Sequence, residues 1–399
     1  MEKVSRERVV AFRQSIRELL ERRVTDAVEV VLEEELSAAL GSTRYERSSV
    51  RRGYRNGSER RRITTRAGTR ELQVPRGRLL ADDGSRREFR SELLSRYARR
   101  TAEVDEAILA CYLSGANSRR IRKALAPLLG DEHLSKSAVS RVVAKLKELF
   151  AAWSSRDLSE EPCAVLFLDG FHLKVRMARR VVSVPVLAVL GVREGGEKQL
   201  LALRLASSEA AANWGEVVAE LQRRGLSAPL LVVVDGHQGL GKALAGWSEV
   251  KLQRCTVHKL ANLTAACPAH ARREMKRDYQ RIVHATDGLA ARRAYDTFLG
   301  KWSRLCPAVA RSLEEAGTEL LTFYEFPRAM WKSLRSTNSL ENLNREFRRR
   351  TKTQASFGTE EAAITLLYAL VAFGQIEMRK IVGYRHLKTL TASATAQAA

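Results

Sequence analysis

The stretch CAVLFLDGFHLKVR, Cys163 to Arg176, decides the fold. It reads as a β-strand whose hydrophobic run, AVLFLD, closes on Asp169 and a glycine. It also marks a change of pattern, which begins at Pro162. Downstream, VVSVPVLAVLGV (181–192) and KQLLALRLASSE (198–209) read as two further strands, and AANWGEVVAELQRRGL (211–226) as a helix. PLLVVVDG (229–236) follows as a buried strand closing on Asp235, then QGLGKALAGW (238–247) as a helix and VKLQRC (250–255) as a short strand. Three meandering strands followed by strand–helix alternation predict a mixed α/β sheet.

The flanks are helical. From His258 to about Phe326 no strand signal interrupts the helical pattern, and an apolar helix is expected from Thr359 to about Gln375. The tail TASATAQAA is small and polar, and is expected to be disordered. Upstream, Phe12, Ile16, Leu19, Leu20 and Val24 recur at helix spacing, with Gly41 as a stop. The basic run 44–78 contains RITTRAGTRELQVPR, a hairpin turning at Ala67-Gly68. Residues 108–150 divide into three helices separated by Gly-Ala-Asn and Gly-Asp turns. In the third, Val139, Val142, Val143 and Leu146 face inward while Lys136, Ser140, Arg141 and Lys145 stay outside. That is the pattern of a helix-turn-helix with its recognition helix from about Lys136, although a plain helical bundle with a basic face would look the same.

With 399 residues and a net charge of +23, the chain points to a polyanionic partner, most commonly nucleic acid. No apolar run approaches the roughly 20 residues needed to span a bilayer, and the N-terminus lacks a signal-peptide core. Five cysteines in a chain of this length do not form a disulfide framework, so a soluble, reduced, cytoplasmic protein is expected.

Four constellations carry chemistry. Asp169 and Asp235 sit at the ends of hydrophobic strands, where α/β sheets place their sites. Two close carboxylates repel unless a cation lies between them, and hard oxygen ligands suit Mg²⁺; a strand-terminal Asp-Gly is also an ordinary turn. Gly236 to Lys242 fits a P-loop, but Ala243 stands where the Mg²⁺-binding hydroxyl belongs. Cys255, His258, Cys267 and His270 form two C-x-x-H pairs that could hold zinc, the second interrupted by Pro268.

The fourth is RSTNSLENLNREFRRRTK, 335–352. At about 100° per residue, Leu340, Leu343 and Phe347 share one stripe, while Glu341, Arg345, Arg348 and Lys352 share another. Asn338 with Glu341 has capping-box spacing. Glu341 also heads a cationic row from which it could reach toward the two aspartates. Trp331, just before this helix, is expected in the core rather than stacked on a base.

Taken together, GYRNGSERRR…LQVPRGR, SGANSRRIRKAL…LSKSAVSRVV, LDGFHLKVR, VVDGHQGLGKAL, QRCTVHKLANL and RSTNSLENLNREFRRRTK occur in an order that resembles the bacterial Mutator-like transposases of the insertion-sequence 256 family. The resemblance covers about residues 40–385. It implies an RNase H-like catalytic domain holding two Mg²⁺ ions (or Mn²⁺) on Asp169, Asp235 and Glu341, interrupted by an all-helical insertion. It further implies double-stranded DNA as partner, a homodimer on DNA, and copy-out-paste-in transposition. Cys255 and His258 match a family C-x-x-H element, whereas Asn342 departs from the arginine usual after the glutamate. The resulting organisation is an N-terminal helical and basic hairpin region (1–100), a helix-turn-helix domain (101–155), a first catalytic segment (156–260), a helical insertion (261–330), a second catalytic segment (331–385) and a tail (386–399). Arg345, Arg348, Lys352, Lys136, Arg141 and Lys145 are the expected DNA contacts. A catalytically dead helix-turn-helix regulator and, more remotely, a P-loop ATPase are the alternatives.

Overall fold

The computed structural model describes residues 6–65, 68–81, 84–95, 98–116, 118–129, 136–177, 180–206, 211–236, 244–247, 250–353, 357 and 359–398. The chain divides into two compact units, Met1–Lys145 and Leu146–Ala399.

In the first unit, helix α1 (Arg6–Leu40) precedes a three-stranded antiparallel sheet of β1 (Gly53–Thr65), β2 (Gly68–Leu80) and β3 (Arg86–Glu88). Leu32, Leu36 and Leu40, one turn apart on α1, are buried, and Leu32 joins Ile63, Leu72 and Val74 of the hairpin in a common cluster. Pairing of Thr65 with Gly68 closes the expected hairpin, whose turn residue Ala67 lies outside the described residues. The α1 stripe needs correction. Leu19 and Val24 are exposed, because the sheet covers only the C-terminal turns; the side chains of Phe12, Ile16 and Leu20 lie outside the described residues. Helices α2 (Ala102–Leu113), α3 (Ser118–Leu129) and α4 (Lys136–Ser155) form where the turns predicted, with α4 continuing into the second unit.

The second unit is built on a mixed five-stranded sheet of order β6-β5-β4-β7-β8. β4 (Val165–Met177), β5 (Arg180–Val192) and β6 (Lys198–Leu205) are the antiparallel meander. β7 (Leu231–Val234) then pairs parallel with β4, and β8 (Lys251–Arg254) parallel with β7. The crossover from β6 to β7 carries α5 (Ala211–Arg223), whose Trp214, Val217, Val218 and Leu221 pack on the sheet. The remote P-loop reading fell on Gly236–Lys242, of which 237–242 lie outside the described residues, as does most of the helix expected at 238–247.

Four helices follow: α6 (Thr256–Ala266), α7 (Arg272–Val283), α8 (Gly288–Leu305) and α9 (Pro307–Ala316). Tyr279, Phe298, Trp302 and Leu313 fill their core. Asp287 caps α8 by accepting from the Ala290 amide at 2.8 Å, and Pro307 opens α9 where no intrahelical donor is needed. Trp331 is partly buried, donating to the Phe326 carbonyl at 2.7 Å and packing edge-on to Phe323 and Tyr324, as the core reading required. Then come α10 (Asn338–Thr353), α11 (Glu360–Ala372) and α12 (Leu387–Ala398). The last corrects the expected disordered tail: alanine-rich sequence favours helix, and Leu387, fully buried, anchors its start. No helix among the described residues is long and apolar enough to cross a membrane.

Candidate active site

β4 does not stop at Asp169. It continues to Met177 paired with β5, and Asp169 stands opposite Ala188. The strand-end reading is corrected on that side only, because what ends there is the pairing with β7, whose last register pair is Leu168 with Val234. Asp169 and Asp235 are therefore the next residues on two adjacent parallel strands. Gly236, at φ +129°, then turns the chain so closely past Arg254 that a Cβ would stand 2.6 Å from its guanidinium. The positive φ is what calls for glycine there.

Helix α10 packs along β4, with the Phe347 and Phe171 rings 6.0 Å apart. Leu340, Leu343 and Phe347 are buried, and Arg345, Arg348 and Lys352 are exposed, so the two stripes lie as read. The Arg348 guanidinium sits 6.0 Å over the Phe171 ring. The cap differs from expectation. Asn338 is already helical, and the Thr337 carbonyl accepts from the Leu340 and Glu341 amides. Glu341 is thus not used in a capping box.

His258, one turn into α6, joins the acids. Its Nδ1 lies 2.9 Å from Asp235 Oδ1 and its Nε2 3.6 Å from Glu341 Oε1. Ligand atoms of Asp169, Asp235 and His258 lie within 4.8 Å of one another; so do those of Cys255, His258 and Glu341. His258 belongs to both groups, and Glu341 to the second rather than the first. The hydrogen bond to Asp235, then that to Cys255, push the His258 pKa up to about 11 against the opposing effect of burial. The ring therefore carries a proton among the carboxylates.

Two supports were invisible to sequence reasoning. Asn344, buried on α10, donates through Nδ2 to Asp169 Oδ2 at 2.9 Å. Thr337, fully buried, lies 3.4 Å from Cys255 Sγ through both its amide and its hydroxyl. A polar residue inside the Leu340–Leu343–Phe347 stripe was the one available signal for Asn344; nothing local marks Thr337. Cys255 is thereby engaged by Thr337 and His258. Cys267 lies at the other end of α6, roughly 18 Å along the helix axis from Cys255, and His270 is exposed, so the four-ligand zinc arrangement is not assembled. Of the expected helix-turn-helix contacts, Arg141 and Lys145 are exposed on α4 while Val139 and Leu146 are buried; the side chain of Lys136 lies outside the described residues.

Two buried side-chain atoms of the site, Asn344 Oδ1 and Glu341 Oε1, have no hydrogen-bond partner among the described residues, a costly state, above all for a carboxylate oxygen. Asp169 and Asp235, whose ligand oxygens lie within 4.8 Å of each other, are hard donors of the kind that fit a divalent cation.

A family model described as "Transposase, Mutator family" matches residues 1–378. The chain is 36% identical over 341 residues to the transposase for insertion sequence element IS406 of Burkholderia multivorans, covering 85% of this chain and 86% of that one. It is 34% identical over 382 residues to that of IS1081 from Mycobacterium tuberculosis (95% and 90%). It is 30% identical over 355 residues to that of IS256 in transposon Tn4001 from Staphylococcus aureus (87% and 88%).

Proposed function

The chain belongs to the Mutator family of transposases, enzymes that transfer DNA strands, and from that premise we propose that Asp169, Asp235 and Glu341 are its catalytic acids. The observation that carries this reading is that His258 joins Asp169 and Asp235 in one group of ligand atoms and Glu341 in another, with Glu341 Oε1 buried and without a hydrogen bond among the described residues. Mg²⁺, or Mn²⁺ in its place, would be held by those three residues. When bound, such ions lower the pKa of an attacking water or 3′-hydroxyl and stabilise the leaving oxygen in an in-line displacement.

The chain's own groups supply the rest. β4 and β7 fix the two aspartates, and the Asn344 bond orients one of them. Arg345, Arg348 and Lys352 line the exposed row that follows Glu341 and grip DNA phosphates. Lys136, Arg141 and Lys145 of the helix-turn-helix region at 101–155 contact the terminal inverted repeats, with 1–100 adding backbone contacts. The reactions are cleavage at the element ends and 3′-OH strand transfer in a copy-out-paste-in course, carried out by a homodimer on DNA. A meander of three strands extended by two parallel ones, with an acid on the first strand and another after the fourth, supports the RNase H-like reading. In that reading, 156–260 and 331–385 form the catalytic domain and 261–330 its helical insertion.

Glu341→Gln tests this. Cleavage of end-containing DNA is expected to vanish while binding persists, and undiminished cleavage sinks the assignment. A dead helix-turn-helix regulator would instead show specific binding with no Mg²⁺-dependent strand transfer by the wild type.

A further inference from the structure

Beside the first turn of α10, along the face that carries Asn338, Ser339 and Asn342, lies a cavity of about 430 Å³, a size suited to a small polar ligand. Its lining contains Lys198, His284, Lys332, Arg335 and Lys380 and no aspartate or glutamate. Lys380 is paired with Glu197 at 2.5 Å. Among the described residues, Lys198 and Lys332 have no carboxylate partner, and the Arg335 guanidinium meets only the His284 ring, at 3.3 Å. Burial pushes Lys198 below its ordinary pKa, as befits a cation partly stripped of water with no counter-charge.

Two helices begin at this cavity. α6 brings Thr256 and Val257, and α10 brings Asn338, Ser339 and Asn342. The amides of Asn338 and Ser339 have no hydrogen-bond partner among the described residues, as expected of a helix start. Helix starts alone are common. Here Ser336 adds an independent sign: it is 2% exposed, lines the cavity, and its hydroxyl has no hydrogen-bond partner among the described residues. Unpaired amides, the hydroxyl that an otherwise buried serine presents to the cavity, and unneutralised cations together match the oxygens of a phosphate.

We infer that this cavity seats a backbone phosphate of the DNA strand leading to or from the acid cluster. The inference rests on the transposase reading for its ligand. Glu341 and Asn342 share one helical turn, so a phosphate there lies about one helix width, roughly 10 Å, from the acids. The cavity would thus fix the register of the strand being cut, a task separate from that of the exposed row Arg345, Arg348 and Lys352.

The test is the salt dependence of binding to an end-containing duplex and to an unrelated duplex, for wild type and for Lys332→Ala/Arg335→Ala. The double variant is expected to show a slope of log affinity against log salt shallower by about 1, and about three- to tenfold weaker binding to both duplexes. Arg335→Lys, which keeps the charge, should retain the wild-type slope, which a merely structural role would not predict. Should the double variant fail to fold, Lys332→Ala alone serves, since that side chain is exposed and makes no ion pair among the described residues. Unchanged slope and affinity would overturn the inference whether or not the wild type cleaves DNA. So would inorganic phosphate that shifts the His284 ring resonances without competing with DNA. The catalytic reading stands or falls separately, on Glu341→Gln cleavage.

Discussion

Two polar clusters lie on either side of the start of α6, and they are finished differently. Behind it, Lys259, 1% exposed, donates to Glu315 Oε2 at 2.6 Å and to the Ser312 carbonyl at 2.8 Å. Arg254 donates to Glu315 Oε1 at 2.7 Å. Burial works against the charge of Glu315, yet the bonds from Lys259 and Arg254 hold its carboxyl below the usual range. Each of its oxygens has a cation. In front of α6, the protonated His258 ring meets Asp235 and Glu341 and Asn344 donates to Asp169, and Glu341 Oε1 has no hydrogen bond among the described residues. The first cluster joins β8 to the helical region. The second is left incomplete, and incompleteness is what a ligand can use.

Removing an acid from each cluster should separate the two most clearly. Glu341→Gln is expected to lower strand cleavage by on the order of 10³-fold or more, with a melting temperature only slightly lowered, since what it loses is the long charge contact with the His258 ring rather than a hydrogen bond. Glu315→Ala should act on stability instead, leaving Lys259 buried and unpaired at a cost of about 3 to 5 kcal/mol in denaturant unfolding. If Glu315→Ala proves harmless, the two clusters are not different in kind. Asn344→Ala, which frees Asp169 from its orienting donor, should weaken activation by Mg²⁺ roughly 10- to 100-fold, with activity recovering as Mg²⁺ is raised. A loss that no Mg²⁺ concentration restores would make Asn344 a substrate contact. Thr337→Val should have the smallest effect, about 1 kcal/mol in unfolding, because it deletes only long hydroxyl contacts, to Cys255 and to the His258 ring, and leaves the amide contact in place.

The elements were largely legible because each is written in a local period. The valine- and leucine-rich runs of β4, β5 and β7 could only be buried strands, and Leu340, Leu343 and Phe347 could only face a core. Local period also misled. Leu19 and Val24 keep helix spacing yet are exposed, since spacing states which face is apolar and not whether anything covers it. The Asn338 cap failed for a related reason: several residues near a helix start can cap it, and Thr337 is the one held in place, by Cys255.

By itself, the sequence determined that two acids follow two apolar runs and that a third heads an arginine-rich helix. Only the tertiary structure decided that β4 and β7 are neighbours, that His258 stands between Asp235 and Glu341, and that Cys255 meets Thr337 rather than Cys267. The reason is separation along the chain: the Asn344–Asp169 bond spans 175 residues and the Thr337–Cys255 contact 82. Hydrophobic patterning fixes which face of an element is buried. Which polar atoms then meet at its rim depends on how the sheet orders its strands and where the helices land on it.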